Sequence, residues 1–242
     1  PYTTLFRSNV YPKTSLPSVD SYYTTFKEYV EKDIPVICFT ISLIFSGSYN
    51  SAMNAKGLIE EEYPDAKIYI IDTKQNTVTQ ALIIDQTVRM RDAALPLEKA
   101  LDKIQKVIDS ARIFFTVGSL DYLQMGGRIG KVAAAASKID VKPVIIMKDG
   151  DISLGGIGRN RNKLKKKVLA VADKYLTEKG KDNFIVSVGY GYDAAEGVSF
   201  MNELEETLGI KLQSETNAAI GIVSGVHTGP HPIGLGCVQK YE

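Results

Sequence analysis

Ile34-Pro35-Val36-Ile37-Cys38-Phe39-Thr40-Ile41-Ser42-Leu43-Ile44-Phe45-Ser46-Gly47-Ser48-Tyr49 is the stretch that decides the fold. Residues 34–42 are apolar on both faces, the pattern of a strand buried in a parallel sheet. The run closes in Ser46-Gly47-Ser48, and a helical pattern follows from about residue 49 to 62. A strand that turns through Ser-Gly-Ser into a helix aims backbone N–H groups at the crevice beyond the sheet. In open parallel sheets that crevice, at the carboxyl ends of the strands, is where ligands bind. Glycine at the turn lets the backbone approach such a ligand closely.

The same alternation continues outward. A second strand, residues 67–71, ends at Asp72-Thr73. Two helical patterns follow, and the second carries Leu97, Leu101, Ile104, Val107 and Ile108 at a 3.6-residue period. Residues 113–117 then read as a third buried strand, so the first part is predicted to be α/β with a mainly parallel sheet in three layers. On the N-terminal side, Ser18 is placed to cap a helix bearing Val19, Tyr22, Phe26 and Tyr29. Beyond the glycine-rich stretch 126–130 the texture changes. Residues 141–147 and 152–154 flank Asp149-Gly150, a strong hairpin signal. A helix over about 162–179, a strand over 184–188, a helix over 193–208 stopped by Gly209, and a last strand pair complete a smaller α/β unit. The expected boundary lies near residues 137–140. It gives an N-terminal domain over 9–138, a C-terminal domain over 139–242, and a ligand held between them.

Composition narrows the function. The chain of 242 residues has a formal net charge of +1, which gives no basic stripe for nucleic acid. No apolar run approaches the roughly 18 residues that span a bilayer, so membrane contact is expected to be transient at most. Cys38 and Cys237 are the only cysteines. They offer neither a disulfide framework nor a zinc site, and fit a reducing cytoplasm. Cys38, inside the apolar run, reads as a buried thiol. Pro1-Tyr2-Thr3-Thr4-Leu5-Phe6-Arg7-Ser8 reads like the translation of a sequencing-adapter oligonucleotide and is set aside from the fold. On that reading the natural chain begins further upstream.

Three places could carry chemistry. The first is Ser46-Gly47-Ser48, which on its own also reads as plain helix capping by Ser48. The second is Thr14-Ser15, ahead of Pro17, which alone also reads as a cap. The third is His227, in Gly225-Val226-His227-Thr228-Gly229-Pro230, read as a turn-rich loop after an apolar strand, where a lone histidine is commonly structural. Together they supply hydroxyls, a helix N-terminus and an imidazole with no acidic residue among them, a set suited to holding an anion. A nucleophilic serine is disfavoured because the G-x-S-x-G elbow is absent. His227 and His231 lack the i, i+4 helical spacing of a metal pair, so no metal is expected. Arg128, flanked by glycines, is free to reach a carboxylate or phosphate bidentately. Arg159 and Arg161 precede a lysine-rich helix whose charge run reads most simply as a solvated face.

In order, these motifs form a series. It runs Lys13-Thr14-Ser15-Leu16-Pro17-Ser18, Phe45-Ser46-Gly47-Ser48-Tyr49, Ile71-Asp72-Thr73, Leu120-Asp121-Tyr122-Leu123-Gln124-Met125-Gly126-Gly127-Arg128-Ile129, Lys142-Pro143-Val144-Ile145, Asp149-Gly150, Arg159-Asn160-Arg161 and His227-Thr228-Gly229-Pro230. The series resembles the bacterial DegV family from residue 13 to the end. The resemblance implies a fatty-acid-binding protein that is not itself an enzyme and has no cofactor beyond its lipid. It further implies the binding subunit of a fatty acid kinase, which feeds phospholipid metabolism by presenting a long-chain fatty acid to a separate kinase for acyl phosphate formation. By position, Thr14, Ser46 and His227 resemble the carboxylate contacts, with Gly47 and Ser48 as the supporting helix N-terminus. Arg128, Arg159 and, less closely, Arg161 resemble arginines facing the phosphate or the kinase.

The chain also departs from that pattern. The family's first strand, ending in Thr-Asp-Ser, has no counterpart here. His231 and Pro232 stand where a glycine and a small residue usually follow His-Thr-Gly-Pro. Ser48 replaces a threonine. Two other readings remain beside the first: a binding module for another small anion, and an acyl- or phosphoryl-transfer enzyme using Ser46 and His227. Against the last, no acidic residue in the set would orient the histidine or hold magnesium.

Overall fold

The computed structural model describes residues 11–133, 141–212 and 217–242. The elements in chain order are α1 (Val19–Val30), β1 (Val36–Thr40), α2 (Ser48–Glu62), β2 (Ile68–Asp72), α3 (Thr77–Asp92), α4 (Leu97–Ser110), β3 (Arg112–Thr116) and α5 (Asp121–Met125). Then come β4 (Lys142–Lys148), β5 (Asp151–Gly158), α6 (Arg161–Lys179), β6 (Phe184–Tyr190), α7 (Ala194–Leu208), β7 (Asn217–Ala219), α8 (Ile222–Thr228) and β8 (Ile233–Gln239). The predicted α/β class holds.

The period-2 alternation of strand side chains explains how the layers stack. β1 and β2 pair in parallel as a two-stranded sheet. Val36, Cys38, Ile68 and Ile70 turn to one face and pack under α1 and α2. Ile37, Phe39 and Ile71 turn to the other, against α3 and α4. A six-stranded sheet of order β5-β4-β3-β8-β6-β7 forms the second layer of strands. Its Phe114, Val144, Val186, Val188, Leu235 and Cys237 pack against α6 and α7. Its opposite face receives α3 and α4, which are therefore sandwiched between the two sheets. α3 lies so close to β8 that a Cβ on Gly236 would stand 2.0 Å from Thr79 Oγ1.

Local signals account for many boundaries. Ser18 accepts from the Ser21 N–H at 3.1 Å and caps α1 as expected. Asp193 caps α7, which stops at the left-handed Gly209. Asp149 and Gly150 both take positive φ, 52° and 86°, the geometry of a two-residue hairpin turn between β4 and β5.

Several expectations need correction. β3 does not extend the parallel sheet; it pairs antiparallel with β4 and β8 in the larger one. The strand expected at residues 34–42 is shorter and half-exposed, with Thr40 its one buried residue, because among the described residues β1 is paired with β2 alone. Cys38 is accordingly half-buried, while Cys237 is fully buried. The last strand pair is not a pair: β7 and β8 flank β6 on opposite sides. The segment before His227 is the helix α8, not a strand followed by a loop. The lysine run on α6 is only partly solvated, since Lys165 is buried and pairs with Glu203 at 3.1 Å. The boundary expected near residues 137–140 and the adapter-like residues 1–8 lie outside the described residues.

Candidate functional site

Between the two sheets, beyond the carboxyl end of β1, lies a cavity of about 630 Å³, within the range of small-ligand sites. The large sheet supplies Ile113, Phe115, Met147 and Gly234 from its inward face, and β1 supplies Phe39 and Thr40. One end is polar. There Thr14, Ser46, Gly47, Ser48, Arg128 and His227 come together on the cavity wall, from segments more than two hundred residues apart. Among the described residues no Asp, Glu or Lys lines the cavity, and Arg128 is its one permanent charge.

The polar end is knitted by hydrogen bonds. Thr14 Oγ1 and His227 Nε2 are 2.9 Å apart. Ser46 Oγ lies 2.8 Å from Ser48 Oγ and accepts from the Ser48 N–H at 3.2 Å. The N-cap of α2 is Gly47, which has no side chain to cap with, and Ser48 is already the first helical residue. Capping by Ser48 is thus excluded, and the N–H groups of the first turn of α2 open towards Ser46. Thr14 caps nothing either, because Ser18 performs that task for α1. Leu16 covers the turn closely: a Cβ on Gly47 would stand 3.0 Å from its Cδ2.

His227 is held from below by a glycine. A Cβ on Gly126 would stand 2.3 Å from His227 Nδ1, so the ring approaches that backbone more closely than any side chain there would allow. Nδ1 is buried and makes no hydrogen bond. Burial, with the nearby Arg128 guanidinium, holds the imidazole pKa below its usual value and keeps the ring neutral at pH 7. Gly229, at φ 78°, turns the chain out of α8 against the face of Tyr122. His231, which follows, is not among the positive-φ residues, so its replacement of a glycine strains nothing in the described backbone.

Arg128 differs from expectation. It is half-buried, and its Nε and Nη2 donate to the Phe45 carbonyl at 3.2 and 3.0 Å while Nη1 donates to the Gly126 carbonyl. It therefore ties the α5 turn to the end of β1 and sets a positive charge beside Ser46. Arg159 and Arg161 do not line the cavity. Arg159 is exposed, and Arg161 grips Glu196 bidentately at 2.8 and 2.7 Å.

Sequence reasoning missed two features of the wall. Tyr22 of α1 reaches the cavity. Burial raises its phenol pKa, and a hydrogen bond with Ser48 works in the opposite direction. Its helical spacing on α1 fits core packing as well as it fits a wall. Thr77, at the start of α3, also lines the cavity and takes φ 45°, a conformation that a β-branched side chain adopts rarely and that no sequence signal announces.

The fold and this cavity define a class: an α/β protein that closes two sheets around a mostly apolar space with a hydroxyl-, imidazole- and arginine-bearing part of its wall. The chain belongs to the DegV family, described as a family of uncharacterised proteins, whose pattern it matches over residues 2–240. It is similar to a stearic-acid-binding protein from Eubacterium ventriosum, with 67% identity and a TM-score of 0.96 over 99% of this chain and 83% of that one. A fatty-acid-binding DegV protein from Thermus thermophilus shares the fold at 22% identity, with a TM-score of 0.88 over 98% of this chain and 82% of that one. A DegV domain-containing protein from Clostridium perfringens is 28% identical over 225 residues, 92% of this chain and 76% of its own length. Among the described residues no helix is long and apolar enough to cross a membrane, and no cluster of side chains is placed to hold a metal ion.

Proposed function

We propose that this chain binds a long-chain fatty acid, with its carboxylate at Thr14, Ser46 and His227 and its tail in the apolar space between the sheets. The observation that carries this reading is the asymmetry of the cavity: a polar group with a single permanent positive charge, no acidic lining residue, and a wall that is otherwise mostly apolar, with Asn76, Thr77 and Gln80 among its uncharged polar members. A carboxylate is costly to bury without donors. Here the two hydroxyls, the first-turn N–H groups of α2 and the His227 ring offer them, and Arg128 offsets the charge. Tail burial contributes about 0.8 kcal/mol per methylene. The likeness to a stearic-acid-binding protein at 67% identity supports the same ligand class.

The chain acts as a carrier, not an enzyme, in the cytoplasm, and presents the carboxylate to a separate kinase that forms the acyl phosphate. The cavity wall draws on both stretches proposed as units, residues 9–138 and 139–242, with β3 of the first lying between β4 and β8 of the second in the large sheet. Exposed Arg159 is the group available to a phosphate-bearing partner outside the cavity, while Arg161 beside it is engaged with Glu196 and would have to exchange that pair to join it. Extraction of purified protein followed by mass spectrometry, then calorimetric titration of the delipidated chain with stearate, tests the binding step. Recovered fatty acid and saturable one-to-one binding are expected. A chain that carries none and binds none does not have this function. Adding the kinase and ATP tests the presentation step, with acyl phosphate as the expected product.

A further inference from the structure

The His227 ring, neutral at pH 7, has one proton to place on one of two nitrogens. The surroundings of the two differ. Nε2 stands 2.9 Å from Thr14 Oγ1. Nδ1 is buried and has no hydrogen-bond partner among the described residues. The Gly126 backbone lies against that side of the ring, so close that a Cβ there would stand 2.3 Å from Nδ1 and 3.2 Å from Cε1. Both polar groups of this glycine are engaged elsewhere. Its carbonyl accepts from Arg128 Nη1, and its N–H donates to the Tyr122 carbonyl at 2.9 Å. A buried N–H left without an acceptor is rarer in folded proteins than a buried acceptor left short of a donor. The bare lone pair therefore belongs on Nδ1 and the proton on Nε2.

The tautomer decides what Thr14 can do. A threonine hydroxyl has a single proton. With the imidazole proton on Nδ1, Thr14 would give its own proton to the bare Nε2, and only lone pairs of its oxygen would remain for the cavity. An ionised carboxylate accepts and never donates, so such a Thr14 would repel it. With the proton on Nε2, the ring donates to Thr14 Oγ1 and the Thr14 proton is released to the cavity. The Nε2–H can then also be shared with a carboxylate oxygen.

We infer that His227 is a positioning residue, held in its Nε2–H tautomer by the partnerless surroundings of Nδ1, and that this tautomer makes Thr14 a donor to the bound anion. Gly126 serves the choice by filling the Nδ1 side without offering an acceptor. The inference rests on the fatty-acid reading above and adds to it the direction of the hydrogen bonds at the head group.

The test uses the delipidated full chain carrying isotope-labelled histidine. The chain has two histidines, so a His231→Gln variant assigns the signals. Two-bond nitrogen–proton correlations should show His227 with a protonated Nε2 and a bare Nδ1 at pH 7. Glutamine places an amide nitrogen close to the position of Nε2, and asparagine close to that of Nδ1. His227→Gln should therefore hold stearate about tenfold more tightly than His227→Asn does. Octadecanol can donate as well as accept, so the same two variants should bind it within about twofold of each other. Thermal melts establish that each variant is folded, and the wild-type spectrum keeps the test decisive if one is not. A protonated Nδ1, equal stearate affinities in the two folded variants, or the same difference for octadecanol as for stearate overturns the inference. Wild-type protein that shows the Nε2–H tautomer but binds no stearate overturns the fatty-acid reading instead.

Discussion

Strands β1 and β2 leave four of their five residues half-exposed, whereas β8 buries six of its seven. The small sheet has helices on both faces but few strands, and apart from Phe39 and Thr40 at the end of β1 what it contributes to the site lies beyond its strand ends: Ser46 and the N-terminus of α2 after β1, Asn76 and Thr77 after β2. The large sheet contributes from its face, with Ile113, Phe115 and Met147 as a floor. One sheet thus presents donors and the other excludes water. The difference follows from geometry. Parallel strand ends with helices behind them point N–H groups outward, while a wide mixed sheet satisfies its backbone internally and offers only side chains.

The largest effect that separates the two sheets should be on stability. Phe200→Ala, in the core behind the large sheet, should cost about 3–5 kcal/mol. Ile37→Ala on half-exposed β1 should cost only about 1 kcal/mol. Urea denaturation measures both, and equal losses would mean that the two sheets do not differ in the way described.

The next effect should be on binding. Ser46→Ala and Thr14→Ala should each weaken fatty acid affinity by about 1–3 kcal/mol, because a buried carboxylate loses one donor. Gly126→Ala should do likewise by pushing the His227 ring from its place. Calorimetry with stearate reads the loss, and unaltered affinity in all three would reduce the polar end to backbone support.

A smaller effect should come with pH. The folded protein holds the His227 pKa below its unfolded value, so the unfolded chain takes up the proton first. The resulting contribution to stability is present above the unfolded pKa of about 6.5 and is lost as pH falls through the folded value. The melting temperature of the ligand-free protein should therefore drop between pH 7 and 5 by more than that of His227→Gln. The smallest difference should be chemical. Burial pushes the Cys237 thiol pKa up to about 12, while that of half-buried Cys38 is raised less completely by the same cause. A maleimide should label Cys38 first in the native state.

Much of this was legible from sequence where the signal is local. Asp149-Gly150 specified its hairpin, Asp193 and Gly209 bounded α7, and Ser18 capped α1, because each is chemistry between residues a few positions apart. Strand partnership is not local. β3 looks like β1 in composition, and nothing in Ile113-Phe114-Phe115 says that its neighbours are β4 and β8. The short helix α8 was hidden because Ile222-Val223-Ser224-Gly225-Val226 has the apolar, β-branched character of a strand. The polar residues of the site were visible as motifs. That Thr14 touches His227, that Arg128 leans on the Phe45 carbonyl, and that Tyr22 joins the wall depend on contacts across the chain that no spacing encodes.

The central claim is that the polar end holds a carboxylate and the space between the sheets holds its tail. A crystal structure of the chain grown with stearate tests it most directly. The carboxylate oxygens should lie within hydrogen-bond distance of Ser46 Oγ, Thr14 Oγ1 and the His227 ring, with the chain running between the sheets. A carboxylate located elsewhere, or a methyl end lodged against Ser46 and His227, would contradict the account.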